Sequence, residues 1–312
     1  MDYFQPYTDF LKKFLKPRQK LKVVFDCSNG TSGKVLKELF RKSAIGNRGS
    51  KIEAIFINDK PDGNFPGHGP NPLAKGAMGQ VQKAVLKHRA DLGMIFDADG
   101  DRVFFMDDLG GTISPDETGY LLLQELKPKK FAIGPIAGEL LKNSSYQILD
   151  SRFFVSKVGH YFFKKLMREK KIPLGLEHSG HYYFGFPKEN FYFDSGILAA
   201  IHIINFLSHL NIKLSTYLDK LPKYCRSGEI NFKFQIPNSK SQILEKVEKF
   251  YRKQGAKISK LDRLTVEFKG GWLNLRPSNT ENLLRLNVEV ASEKILKEKI
   301  KEVQKLVKSK KL

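Results

Sequence analysis

The sequence predicts an α/β protein with two mixed α/β sheet domains followed by a smaller α+β C-terminal domain. Three observations carry this expectation. Apolar strand-like runs alternate with helix-like runs through the first third of the chain, and the same alternation resumes after an acidic turn at residues 97–102. Beyond Pro222 the texture changes to closely spaced strands with two helices. The expected domains are 1–115, 116–221 and 222–312, and 312 residues suffice for three units with separate cores.

In chain order, Tyr7 to Leu15 reads as a short helix that stops before Pro17. Leu21 to Asp26 is a strand, and the turn Cys27 to Gly33 opens a helix from Lys34 to Arg41. Ile52 to Ile57 is a second strand, followed by a Pro/Gly-rich loop from Pro61 to Pro72, a helix from Met78 to Lys87 and the strand Leu92 to Phe96. After the acidic turn and the strand Val103 to Met106 come a helix at Gly119–Leu126, a strand at Phe131–Gly134 and a helix at Gly138–Lys142. Strands near Gln147 and Phe153, a helix from His160 to Lys170, the segment Leu174–Glu177 and a helix after Asp194 complete the second unit. In the third, Glu229–Gln235 alternates as a strand and Gln242–Gln254 is a helix. Strands then follow at Leu264–Phe268, Gly271–Arg276 and Leu284–Val290, before a closing basic helix.

The acidic turn is the most informative stretch. Asp97, Asp99 and Asp101 alternate between two apolar strands, with Arg102 immediately after. Carboxylates spaced two apart converge only if the turn curls around a point, and three negative charges at a point need a cation. All-oxygen ligation with few carboxylates suits a hard divalent ion that keeps waters or takes a phosphate, which favours Mg²⁺. An EF-hand calcium loop fails in detail, because it needs Gly where Arg102 stands and Glu where Asp108 stands.

Three further motifs carry chemistry. Ser28 to Lys34 follows a strand and opens a helix, but it lacks the first Gly of the nucleotide-binding loops, and Val35 follows Lys34; a tight turn accounts for it. Glu177, Ser179 and His181 lie within five residues on a Gly-flexed loop, a donor and acceptor set suited to the adjacent hydroxyls of a pyranose. A zinc site is the rival reading there, and the spacing does not match a helical two-His motif. Arg276, Ser278, Asn279 and Thr280 form a polar turn between strands that would cradle a phosphate, with Arg285 as a second guanidinium; a plain polar hairpin is the alternative.

Composition narrows the class. With 41% hydrophobic and 28% charged residues the chain has the balance of a water-soluble globular protein. The net charge of +21 invites nucleic acid, yet the lysines are dispersed, and those of Lys294–Lys311 alternate with Ile, Leu and Val as one solvated helix face. An anionic metabolite profits from the same field. Two cysteines, Cys27 and Cys225, form no disulfide framework, so a reducing cytoplasm is expected. No signal-peptide pattern opens the sequence, and the longest apolar stretch, Gly196–Leu207, is too short to span a bilayer and reads as a core helix.

Taken together and in order, these motifs resemble the α-D-phosphohexomutase family, in its phosphomannomutase/phosphoglucomutase branch. Asp97, Asp99, Asp101 and Arg102 match the D-x-D-x-D-R magnesium loop, Glu177, Ser179 and His181 match the G-E-x-S-G-H sugar loop, and Arg276, Ser278, Asn279 and Thr280 match the R-x-S-x-T phosphate loop. Asp62–Pro66 and Lys157–His160 are similar as well. The resemblance implies Mg²⁺ as cofactor, hexose phosphates as ligands, substrate contacts from Lys157 and Arg285 in addition to these loops, and supporting roles for Arg102 and His160. It implies intramolecular phosphoryl transfer between the 1- and 6-positions of mannose or glucose phosphate.

The departures from the family pattern are specific. The family's T-x-S-H-N-P-type serine loop, which sits in its first domain, occurs nowhere in these 312 residues, and Gly134-Pro135 replaces an expected basic residue. The expectation is therefore a phosphohexomutase chain with the family's second to fourth domains, truncated or one half of a split enzyme, and inactive without a separate first-domain polypeptide. A non-catalytic hexose-phosphate-binding protein is the alternative, and a nucleic-acid-binding module rests on charge alone.

Overall fold

The computed structural model describes residues 3–40, 51–147, 151–233, 239–278 and 281–308. After helix α1 (Phe4–Lys12), strand β1 (Leu21–Asp26) leads into α2 (Ser32–Phe40), β2 (Ile52–Ile57), α3 (Gly79–His88), β3 (Leu92–Phe96), β4 (Val103–Met106) and β5 (Thr112–Ile113). The strands form one sheet in the order β2-β1-β3-β4-β5. The first three pair in parallel, whereas β3-β4 and β4-β5 are antiparallel. A strand sends successive side chains to opposite faces. Accordingly Val23 and Phe25 of β1 pack with Leu36 and Leu39 of α2, and Val24 packs with Val81 and Val85 of α3.

The second sheet follows from α4 (Pro115–Leu126), β6 (Lys130–Ile133), α5 (Glu139–Gln147), β7 (Arg152–Val155), α6 (His160–Lys170), β8 (Leu174–Leu176), β9 (Tyr182–Phe186), β10 (Phe191–Asp194), α7 (Gly196–Leu207) and α8 (Leu214–Asp219). Its order is β10-β9-β8-β6-β7, with β6 parallel to β7 and β8, and with β9 and β10 added as an antiparallel hairpin. Helix α4 begins at a capping box in which Ser114 Oγ accepts from Glu117 N and Glu117 Oε2 accepts from Ser114 N. All twelve residues of α7 are buried. A helix apolar on every side belongs inside a core, and α7 shares one with strands of both the first and second sheets.

The third unit comprises β11 (Cys225–Arg226), β12 (Ile230–Lys233), α9 (Ser239–Lys253), β13 (Lys257–Ser259), β14 (Leu264–Phe268), β15 (Gly271–Pro277), β16 (Leu283–Val290) and α10 (Glu293–Lys308). Its antiparallel sheet runs β11-β16-β15-β14-β13, with β12 also paired to β16, and both helices pack on it in a separate core. Arg226 ties this unit to the second. Its guanidinium pairs with Glu289 and lies 2.5 Å from Asp116 Oδ2, and its NH2 donates to Ile136 O at 3.2 Å. The fold class is as the sequence predicts: two mixed α/β domains, then an α+β domain.

Two local expectations need correction. Gln147 ends a helix rather than opening a strand, because α5 continues through the polar residues after Lys142. The sequence reading also passed over the hairpin β9-β10, where aromatic runs flank the turn at Pro187–Asn190. Four short elements, β5, α8, β11 and β13, are also absent from the sequence reading, and the other differences are shifts of element ends by a few residues.

Candidate active site

The acidic loop connects β3 to β4, and its curl is built from its own first carboxylate. Asp97 is buried, and its Oδ1 accepts from Gly100 N at 3.0 Å and Arg102 N at 3.2 Å, while Arg102 Nε donates to Oδ2 at 2.6 Å. Gly100 takes φ 77°, which suits glycine and reverses the chain between Asp99 and Asp101. The carboxylates of Asp97, Asp99 and Asp101 thereby come within 4.8 Å of one another. Behind the loop, the turn after β1 fixes the backbone: Ser28 Oγ donates to Phe96 O and Thr31 N to Ala98 O at 2.9 Å. A side chain at Gly30 would collide with Ala98 O. Asn29, Gly30 and Thr31 donate their N–H groups to the carbonyls of Asn58, Cys27 and Ala98, and Ser28 N donates to Asp26 Oδ1, which agrees with the tight-turn reading of Ser28–Lys34.

The loop after β8 is joined to the acidic loop through the backbone. Val103 N donates to Gly180 O at 3.2 Å, and Arg102 and His181 form an antiparallel β-bridge. This places His181 Nε2 3.3 Å from Asp101 Oδ2. Glu177 is buried; its Oε2 accepts from Tyr183 OH at 2.7 Å and its Oε1 from Gly159 N at 3.1 Å. Ser179 Oγ lies 2.9 Å from His181 Nδ1. His160, first residue of α6, stacks edge-on against His181 with ring centres 4.4 Å apart and hydrogen-bonds Asp194, which also pairs with Lys164 at 2.7 Å.

The electrostatics follow from this crowding. Burial, followed by the carboxylates of Asp97, Asp99 and Asp194, pushes the Asp101 pKa up to about 7. Burial also holds the His181 imidazole below its ordinary value, against the raising effect of Glu177. Three converging carboxylates, of which only Asp97 has a guanidinium partner in Arg102, fit a hard divalent cation. A second group of possible ligands, Asp101, His160, His181 and Asp194, also converges. There Lys164 already supplies Asp194 with a positive partner.

The third predicted element stands across a cleft. Arg276 on β15 and Arg285 on β16 are direct cross-strand partners, and Arg285 donates to Ser278 Oγ at 3.5 Å. Asn279 and Thr280 lie outside the described residues. A cavity of about 470 Å³ is lined by Lys157, Val158 and Phe162 from the second domain and by Lys260–Arg263, Arg276 and Pro277 from the third. Lys157 and Val158 of this lining belong to the same loop as Gly159, whose N–H donates to Glu177. The structure brings Asp97, Asp99, Asp101, Arg102, His160, Glu177, Ser179 and His181 together, and puts Lys157 and Arg276 on one adjoining cleft. Asp194, Lys164 and Tyr183 were missed, since each enters only through the tertiary approach of α6 and the β9-β10 hairpin.

Comparison with known proteins agrees with this architecture. Three sequence models of the phosphoglucomutase/phosphomannomutase family match: alpha/beta/alpha domain II over residues 5–110, alpha/beta/alpha domain III over 114–224 and the C-terminal domain over 229–306. The chain is 35% identical to a phosphomannomutase of Methanocaldococcus jannaschii, covering 98% of this chain and 66% of that protein. It is 34% identical to a Vibrio cholerae phosphomannomutase, over 97% of this chain and 65% of the relative. The crystal structure of a phosphoglucomutase/phosphomannomutase family protein from Burkholderia thailandensis superposes with a TM-score of 0.84 at 25% identity, over all of this chain and 66% of the other. An Aspergillus fumigatus N-acetylphosphoglucosamine mutase, solved with GlcNAc-6P and magnesium, shares the fold at a TM-score of 0.66 and 15% identity, over 98% of this chain and 65% of the other. The chain thus spans about two thirds of the length of these relatives. Among the described residues no helix is long and apolar enough to cross a membrane. With its three domains matched in order and its sheets arranged as theirs, the chain belongs to the phosphoglucomutase/phosphomannomutase family.

Proposed function

We propose that this chain binds Mg²⁺ and a hexose phosphate and supports phosphoryl transfer between the 1- and 6-positions of mannose or glucose phosphate. The observation that carries the reading is the backbone bridge between Arg102 and His181, which fuses the carboxylate cluster to the hydroxyl-reading loop. Asp97, Asp99 and Asp101 would hold the ion, and a bound Mg²⁺ would neutralise charge on the transferring phosphoryl oxygens. Glu177, held by Tyr183 and Gly159, is set to accept from ring hydroxyls, while Ser179 and His181 supply further donors and acceptors. Lys157, Arg276, Ser278 and Arg285, with Asn279 and Thr280, are assigned to the phosphate that is not reacting. Arg102 and His160 support the site by pinning Asp97 and by packing on His181. The functional division is taken at 1–115, 116–221 and 222–312, supported by the three sheets and the spans of the three family matches.

Phosphoryl transfer also needs an in-line nucleophile. No loop resembling the family's serine loop occurs in these 312 residues, and that group is assigned to a first-domain unit outside them. A reducing cytoplasm suits the free thiols of Cys27 and Cys225. The test is turnover of mannose 1-phosphate, primed with the corresponding bisphosphate, by the chain alone and after adding a separately expressed first domain of a relative. No turnover alone and measurable turnover on addition is expected. Phosphosugar binding without turnover in either case would favour a non-catalytic binding protein, and full activity of the chain alone would sink the proposed assignment.

A further inference from the structure

The cleft between the second and third domains carries two basic side chains that the assignment above leaves without a task, Lys260 and Arg263. Of its four cationic lining residues, Lys260 is paired with Glu248 at 2.9 Å and Arg276 lies 3.8 Å from Glu229. Lys157 and Arg263, on opposite walls, form no ion pair with a carboxylate among the described residues. The lining carboxylate, Asp262, has Oδ2 buried without a hydrogen-bond partner. Burial favours its neutral form, against the pull of Arg276, Arg263 and Lys157.

The backbone at Arg263 makes this side chain conspicuous. Its φ is 68°, in the left-handed region that glycine adopts freely and that a long side chain adopts at a cost. Arg89, Lys127 and Lys171 share that conformation, but each is the residue ending a helix, where it is routine. Arg263 instead closes the β13-β14 turn, where glycine would serve the fold better. An exposed arginine in an unfavourable conformation, with no ion-paired carboxylate among the described residues, at the edge of a cleft that Lys157 also lines, is placed for an anion from outside the protein.

We propose that Arg263 is a ligand-binding residue that contacts the phosphate of the hexose phosphate from the C-terminal wall, opposite Lys157. This rests on the hexose-phosphate reading of the same cleft and adds a residue to it. Planar guanidinium forks favour bidentate phosphate contacts.

Titration calorimetry of wild type, Arg263→Gly, Arg263→Lys and Arg276→Ala with mannose 1-phosphate, together with melting temperatures, tests the assignment. Arg263→Gly is expected to melt at the same or a higher temperature, because glycine relieves the turn, yet to bind roughly 10–100-fold more weakly. Arg263→Lys is expected to recover part of the affinity. If Arg263→Gly binds like wild type while Arg276→Ala is impaired, Arg263 has no role in binding and the hexose-phosphate reading stands. If wild type has no affinity for any hexose phosphate, both fail. A fall in affinity matched by a fall in melting temperature would also overturn the inference, since the arginine would then be holding the turn.

Discussion

Arg276 and Arg285 face each other across β15 and β16, and Glu229 lies 3.8 Å from the first and 3.6 Å from the second. Like charges directly opposite destabilise a sheet. A further carboxylate, Glu281, approaches Arg285 at 3.5 Å but is largely exposed, where solvent screens it. The pair therefore retains positive charge that a bound phosphate would neutralise.

Arg276→Ala is expected to weaken both inorganic phosphate and hexose phosphates, by about 1.5–3 kcal/mol for a charge-assisted contact. Glu177→Ala should weaken the sugar phosphates and leave inorganic phosphate unchanged, if Glu177 accepts from ring hydroxyls as proposed. Calorimetry with both ligands separates the two roles; equal loss of phosphate binding in both variants would contradict them.

Asp99 is the exposed member of the acidic cluster, whereas Asp97 also holds the loop together. Asp99→Ala should thus fold normally and lose the rise in melting temperature expected of wild type with Mg²⁺. Asp97→Ala should melt lower even without Mg²⁺. Identical responses of wild type and Asp99→Ala to Mg²⁺ would rule out the site.

Removing the guanidinium of Arg226 leaves Asp116 and Glu289 buried without their shared cation. Breaking a buried pair from one side costs about 3–5 kcal/mol. Arg226→Met should lower stability by that order in denaturant unfolding, and should loosen the C-terminal domain first, measurable as faster amide exchange in β11 and β16.

His202 is buried in α7 between the rings of Phe14 and Phe184, and its Nδ1 has no hydrogen-bond partner. Burial lowers its pKa from 6.5 to about 4. The native state therefore resists a proton that the unfolded chain accepts, and stability falls as pH drops from 6.5 towards 4. The full effect is about 3 kcal/mol. His202→Leu should flatten this part of the stability profile while leaving stability above pH 7 little changed. An unaltered slope would mean another group titrates there.

The acidic loop was legible because its chemistry is local: alternating carboxylates between apolar strands state both the turn and the charge. Glu177, Ser179 and His181 were legible for the same reason, as a dense run of polar groups on a glycine-flexed loop. Asp194 and Lys164 were not, because Asp194 meets Lys164 and His160 only across some thirty residues of chain; Tyr183, six residues from Glu177, reads as one more aromatic of a strand. The β9-β10 hairpin is harder to read because Tyr182–Phe186 and Phe191–Asp194 carry aromatics on both faces and so lack the apolar–polar alternation that marks a half-buried strand. Around Gln147, helix α5 extends over Asn143–Gln147, where short polar residues gave no helical pattern to follow.

The bridge between Arg102 and His181 also bears on inheritance. Gly180 takes φ 90°, and a Cβ there would lie 2.6 Å from the Phe104 ring, so the two loops have to agree in shape residue by residue. A recombinant whose crossover falls between residues 106 and 177 draws one loop from each parent and breaks that agreement unless both parents carry the same glycine over the same ring. The first two domains are separate as sheets, yet for breeding new variants they behave as a single heritable block.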